Sequence, residues 1–260
     1  MNLQLIDTHC HLYGQDFTKD IKAVIERAEN EGVRRFYLPA IDSEVIDAML
    51  QLELDFPGKC FAMMGLHPCS VKEDYKQELA LVDEWLSKRS FKAVGEIGLD
   101  YYWDLTFREQ QIEAFGTQIE WALQYSLPIV IHSRESTQDC IDIVRSKQNG
   151  ELKGIFHCFS GTLEEARQVA ELGLYLGIGG SFTYKKSTLP EILKEIELEH
   201  IVLETDAPYL APVPNRGKRN ESSYIPIIAQ KLADVKEVPV TEIAAITTQN
   251  AEKIFNTWAK

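Results

Sequence analysis

Leu5-Ile6-Asp7-Thr8-His9-Cys10-His11 closes an apolar run with two histidines set two residues apart. In an extended segment side chains alternate, so His9 and His11 face one side and Cys10 the other. Three more histidines end short hydrophobic runs: His67 in AMMGLH (62–67), His132 in PIVIH (128–132) and His157 in KGIFH (153–157). Two carboxylates sit the same way, Glu96 in KAVGE (92–96) and Asp206 in HIVLETD (200–206). Histidine has no strong preference for strand ends. Imidazoles and carboxylates placed like this are what a transition-metal site requires.

The apolar runs set the architecture. Candidate strands cover 3–9, 35–40, 60–67, 93–97, 129–132, 154–157, 174–178 and 201–206. Their continuous hydrophobicity suits parallel strands buried on both faces. Helical patterns lie between them. Ile21, Val24, Ile25 and Ala28 keep an i, i+3, i+4, i+7 rhythm with Gly32 as a stop, and Ile112, Phe115, Ile119 and Leu123 repeat it. Thr162 and Glu165 have capping-box spacing, with Gly173 as the stop. The stretch 207–223 reads as a long loop after the last strand. Eight βα units predict an α/β fold, a single (β/α)8 TIM-type barrel with the metal site at the C-terminal ends of the strands. One hydrolase domain would span 1–260. His67, Glu96, His132 and His157 follow one another at roughly 30 residues, one βα unit each. His11 to His67 and His157 to Asp206 are each roughly 50, about two units. The strands skipped, 35–40 and 174–178, carry no candidate ligand.

Composition narrows the function. A length of 260 residues is ordinary for such a barrel. The formal net charge of −13 argues against broad, sequence-blind nucleic-acid binding, which needs a large basic face. The start, MNLQLIDTHCHL, lacks the features of a signal peptide, and no apolar run has the length of a membrane span. A cytoplasmic protein without a membrane partner is expected, with no obligate protein partner. The five cysteines show no CxxC pair and read as reduced thiols. Alternation would turn Cys10 and Cys158 outward into packing.

Each polar residue at the mouth can be given a role. His9, His11, Glu96, His132, His157 and Asp206 form the expected ligand set. Burying a free carboxylate costs several kcal/mol, so Glu96 must be paired or metal-bound, and its two oxygens could bridge two cations. Asp206 can bind metal, orient water and accept its proton; it and Glu96 are the candidate catalytic groups. His67, in GLHP, reads as a contact to the substrate or to a ligand rather than as a ligand itself. A divalent cation lowers the pKa of bound water toward neutrality and polarises a substrate oxygen. Arg134, Ser160 and the basic loop Arg216-Gly217-Lys218-Arg219-Asn220 are suited to hold an anion, with Arg216 and Lys218 foremost. Tyr101, Tyr102 and Trp103 could stack on a base.

The runs IDTHCHL, GLHP, GEIGLDYYW, PIVIHSRE, HCFSG, ETDAPYLAP and RGKRNE together resemble the TatD family of metal-dependent deoxyribonucleases, within the amidohydrolase-type barrels. The resemblance runs from near residue 6 to near residue 220. It implies one or two divalent cations held by His9, His11, Glu96, His132, His157 and Asp206. It also implies hydrolysis of DNA phosphodiesters, often as an exonuclease favouring single strands. Related amidohydrolases often carry a carboxylated lysine where this chain has Glu96, which argues for the TatD branch. The alternative is a carbonyl, amide or ester hydrolase of the wider type, including one acting on an ester of tRNA. A catalytically dead metal-binding scaffold is disfavoured, because no expected ligand is missing. Four imidazoles favour zinc or manganese by ligand softness; carboxylates and phosphate also suit magnesium.

Overall fold

A computed structural model describes residues 3–256. Residues 1–2 and 257–260 of the expected 1–260 domain lie outside the described residues. The strands are β1 (Leu5–Asp7), β2 (Val33–Pro39), β3 (Cys60–Met63), β4 (Val94–Asp100), β5 (Ile129–Arg134), β6 (Gly154–Phe156), β7 (Tyr175–Ile178) and β8 (Ile201–Leu203). The helices are α1 (Ile21–Asn30), α2 (Ile46–Asp55), α3 (Tyr75–Lys88), α4 (Arg108–Tyr125), α5 (Thr137–Lys147), α6 (Leu163–Glu171), α7 (Leu189–Lys194), α8 (Ile225–Lys236) and α9 (Val240–Asn256). All eight expected strands are present, in the expected alternation with helices. Thr162 and Glu165 cap α6 reciprocally, and Gly32 and Gly173 follow α1 and α6 with positive φ.

Every strand pair is parallel and sequential, β1-β2-β3 and β4-β5-β6-β7-β8. Two seams join these into a ring. At β3–β4, Met64 N–H donates to Ala93 O (3.1 Å) and Gly95 N–H to Met64 O (2.9 Å). At β8–β1, Thr8 N–H donates to Leu203 O (3.1 Å), Asp206 N–H to His9 O (2.9 Å) and His11 N–H to Ala207 O (2.7 Å). Asp7 pins this second seam. It accepts from Thr205 N–H (2.9 Å) and from the hydroxyls of Thr205 and Ser222 (2.6 Å each).

Alternation sorts the strand residues into two sets. Leu5, Phe36, Leu38, Ala62, Val94, Ile131, Phe156, Leu176 and Leu203 face the surrounding helices in one continuous core. Ile6, Tyr37, Met63, Ala93, Val130, Ile155 and Val202 form a second cluster with Ala251, Ile254 and Phe255 of α9. This second set is the interior of the barrel, and α9 stops its N-terminal end. Tyr37 and Phe255 stack there with ring centroids 3.7 Å apart. Two residues beyond an interior position, the same face has reached the opposite mouth: Val130 leads to His132 and Ile155 to His157. Val202 leads through Glu204 to Asp206.

Candidate metal centre

Glu96 breaks this parity and is rescued by a bulge. With Ala93 facing inward, plain alternation would turn Glu96 toward the helices. The β4–β5 register shifts between Gly95 and Ile97, leaving Glu96 as the extra residue. The bulge re-aims it into the mouth and carries Asp100 to the same side, while Ile97 and Leu99 remain in the outer core. Gly98 lets β4 lie this close to β5. Its φ is +139°, and a Cβ there would sit 2.1 Å from His132 O. Glu96 therefore lies within β4, not at its end. His9, His11, His67, His157 and Asp206 stand just past the ends of their strands; the chain bends at Thr8 and His9 before the two histidines alternate.

The side chains converge on Glu96, which is 3% exposed. Its Oε2 lies 3.2 Å from His9 Nε2 and 3.6 Å from His11 Nε2. Its Oε1 lies 2.8 Å from His157 Nε2, 3.0 Å from His132 Nδ1 and 3.3 Å from His67 Nε2. Asp206 Oδ1 completes the first side, 3.4 Å from His11 Nε2 and 3.7 Å from His9 Nε2. Three overlapping groups have donor atoms within 4.8 Å of one another: His9–His11–Asp206, His9–Glu96–His157 and His67–Glu96–His132.

The outer partners decide which nitrogen is bare. Tyr13 donates its hydroxyl to Pro39 O (2.6 Å), so it accepts from His11 Nδ1 (2.7 Å), leaving His11 Nε2 as a lone pair. Asp100 Oδ2 holds the Nε2 proton of His132 at 2.8 Å, leaving Nδ1 to face Glu96. Glu204, fully buried, accepts the Cys158 N–H at 2.6 Å and lies 3.3 Å from His157 Nδ1 as an ion-pair contact without an aligned hydrogen bond, while His157 Nε2 faces Glu96. His67 is wired the other way. Its Nδ1 accepts the Cys69 N–H (3.0 Å), so the proton is on Nε2 and points at Glu96 Oε1. In this wiring the protonated Nε2 offers no lone pair to a cation.

Electrostatics reflect the crowding. Burial pushes the Glu96 carboxyl up, but the fields of His157, His67 and His9 and the bond to His132 hold it well below the usual range. Asp206 is likewise lowered, burial being outweighed by His11 and the neighbouring imidazoles. Burial lowers His9 and His67. For His132 and His157 burial is overcome by Asp100 with Glu96 and by Glu96 with Glu204, and both are raised. Four buried or nearly buried carboxylates (Glu96, Asp100, Glu204, Asp206) against a few imidazoles make a donor set that fits divalent cations. The buried His9 Nδ1, His157 Nδ1 and Glu204 Oε2 have no hydrogen-bond partner.

The rim holds the remaining expected residues. Arg134 ends β5 and, with Ser160, lines a groove of about 760 Å³ between the β5–α5 and β6–α6 loops. Its guanidinium lies over the Tyr102 ring, 3.7 Å from the centroid. The basic loop divides. Arg219 pairs with both Asp20 oxygens at 2.8 Å, and Asn220 is buried on Thr205 O and Tyr209 O. Arg216, over the Tyr184 ring at 4.6 Å, and Lys218 stay exposed. Tyr101 is tied to Asp139 (2.9 Å), whereas Tyr102 and Trp103 are exposed. Cys10 packs outward as expected, its thiol facing Tyr37 O at 3.7 Å. Cys158 does not. It follows the end of β6 with φ +45°, half-buried, with His157, Asp206 and Glu204 as electrostatic neighbours.

A parallel α/β barrel carrying a histidine–carboxylate cluster at its C-terminal mouth defines a metal-dependent hydrolase. The chain matches the family model described as TatD related DNase over residues 6–256, and it belongs to that family. It is 39% identical over 254 residues to YabD, a metal-dependent hydrolase of Bacillus subtilis, covering 96% of this chain and 98% of that protein. It is 31% identical over 258 residues to the 3'-5' ssDNA/RNA exonuclease TatD of Erwinia tasmaniensis, covering 97% and 100%. The crystal structure of YjjV, a TatD homologue of Escherichia coli K12, superposes with a TM-score of 0.92 at 29% identity, covering 98% and 99%.

Proposed function

We propose that the chain is a two-cation phosphodiesterase, one hydrolase domain that shortens single-stranded nucleic acid, DNA foremost, from an end. The observation that carries this reading is the split of Glu96, with Oε2 toward His9 and His11 and Oε1 toward His132 and His157. His9, His11, Glu96 and Asp206 would hold one divalent ion, and Glu96, His132 and His157 the second. Zinc, manganese or magnesium would supply Lewis acidity and lower the pKa of water. Asp206, with Oδ1 turned to His9 and His11, offers its other oxygen to take the proton of the attacking water. His67 Nε2–H steadies Glu96 through Oε1. Arg134, Arg216, Lys218 and Ser160 orient the phosphates. A cytoplasmic setting suits the five unpaired cysteines. Among the described residues no helix is long and apolar enough to cross a membrane. The name of the Erwinia relative supports the nucleic-acid substrate.

The test digests labelled single- and double-stranded oligonucleotides with metal-stripped protein, adding back each cation in turn, beside small amide and lactone substrates. Single strands should be degraded from an end. Glu96→Ala and His132→Ala should abolish turnover while the thermal melt persists. Hydrolysis of the amide or lactone with every oligonucleotide intact would overturn the reading.

A further inference from the structure

Six of the eight large hydrophobic side chains exposed among the described residues lie on two loops at the mouth: Tyr102, Trp103 and Leu105 after β4, and Tyr209, Leu210 and Val213 after β8. Trp103 is the most open aromatic of these, 67% exposed, with Tyr102 at 49%. Leaving an indole in water forgoes the burial that stabilises it elsewhere. The pair is nevertheless held firmly. Tyr102 and Trp103 meet edge to face at 4.9 Å and 85°. The Arg134 guanidinium lies 3.7 Å from the Tyr102 centroid and 5.1 Å from that of Trp103. Both backbone N–H groups donate to Asp100 Oδ1, at 3.0 and 3.1 Å. The other oxygen of that carboxylate holds His132. The exposed rings are thus one side chain removed from the cluster around Glu96.

Charge narrows what these rings can receive. With a net charge of −13, counterion release from a basic face cannot supply most of the grip on a polyanion. Stacking can, because every base has a π-face and an aromatic ring accepts it without regard to sequence. We propose that Trp103 and Tyr102, braced by Arg134, form a stacking platform for one unpaired base beside the bond that is cut. The proposal rests on the phosphodiesterase reading above. It also accounts for a single-strand preference, since a base inside a duplex has both faces covered.

Two single-stranded substrates of one length separate the platform from the chemistry: an ordinary strand, and one abasic over its last nucleotides. The metal-loaded wild type should prefer the ordinary strand by about tenfold in kcat/KM, the order expected for one stacked base. Trp103→Ala should bring that ratio close to unity, chiefly through KM on the ordinary strand. Trp103→Phe, which keeps a ring, should restore most of it. A wild type that cuts both strands equally, or a Trp103→Ala variant that keeps the preference, overturns the platform and leaves the phosphodiesterase standing. A wild type inert on both strands overturns the two together.

Discussion

Asp100→Asn isolates the proton bookkeeping around His132. Asp100 is 1% exposed; Oδ2 holds the His132 Nε2 proton, while Oδ1 takes two backbone N–H groups of the next turn. Asparagine keeps an oxygen for that turn but places an NH2 opposite Nε2. His132 must then accept at Nε2 and carry its proton on Nδ1, the atom 3.0 Å from Glu96 Oε1. A proton there removes the lone pair a cation would need. Burial pushes the Asp100 carboxyl up, but the bond from His132 and the turn pull it from 3.8 down to about 2. A drop of about 1.8 at about 1.4 kcal/mol each is roughly 2–3 kcal/mol in favour of the charged acceptor, or about 60-fold. Losses of about 10–100-fold in affinity are usual when such an outer partner of a metal-binding histidine is removed. Calorimetric titration of the stripped protein with manganese or zinc reads the effect directly. One of two binding steps should weaken by that factor, with the thermal melt nearly unmoved. Two steps of wild-type affinity in the variant would refute the tautomer argument.

Burial raises the Asp7 carboxyl to about 6 despite its four donors. A carboxyl raised in the folded state binds its proton more tightly there, so its contribution is most favourable below about pH 4 and is lost as pH climbs through 6. The loss is roughly 3 kcal/mol by pH 7. Urea unfolding of Asp7→Asn beside wild type should show a difference that shifts toward the variant over that range, and a constant difference would count against it. Arg134, Arg216 and Lys218 are the exposed cations proposed to hold a strand, and Lys185 and Lys186 stand exposed beside them on the β7–α7 loop. The logarithm of single-strand affinity against the logarithm of salt should therefore have a slope between about −2 and −3.5; a slope near −6 would reveal a basic surface elsewhere. Phe255→Ala removes the ring stacked on Tyr37 under the barrel. It should cost about 3–5 kcal/mol in chemical denaturation without altering metal affinity. A cost below about 1 kcal/mol would mean that α9 does not stop the barrel.

Alternation made much of this centre legible. His132, His157 and Asp206 share a parity with Val130, Ile155 and Val202, so apolar runs that fill the barrel also aim the imidazoles and the acid. Glu96 was harder, because a bulge belongs to the register between two strands and one strand's sequence does not contain it. Read as strand-final, it proved to lie inside β4, with Asp100 beyond it. Asp100, Glu204 and Tyr13 were missed because each acts on the outer ring nitrogen of a histidine, a contact no strand pattern displays: Asp100 and Glu204 lie far along the chain from His132 and His157, and Tyr13 lies two residues from His11. Two left signals: Glu204 shares the parity of Asp206, and Asp100 stands four residues after Glu96. The basic loop read as one charged unit, yet it is divided by Asp20, which reaches Arg219 from a distant part of the chain. Cys158 escaped its expected packing because alternation lapses where β6 ends.

The acidic balance and a nucleic-acid substrate are compatible once the charges are located. Glu96, Asp100, Glu204 and Asp206 are sunk at the base of the mouth, among imidazoles. Two divalent cations would cancel four negative charges there, so the loaded centre presents far less repulsion to a phosphate than −13 suggests. The outward positive charge at the mouth then comes from Arg134, Arg216 and Lys218 with Lys185 and Lys186, Arg219 being neutralised by Asp20. Long-range attraction would remain weak, because the other carboxylates still oppose it beyond about a Debye length. On the stacking proposal, such a surface would capture a strand slowly and hold it through a base and a phosphate at once. That combination would favour frayed or single-stranded ends over the interior of a duplex.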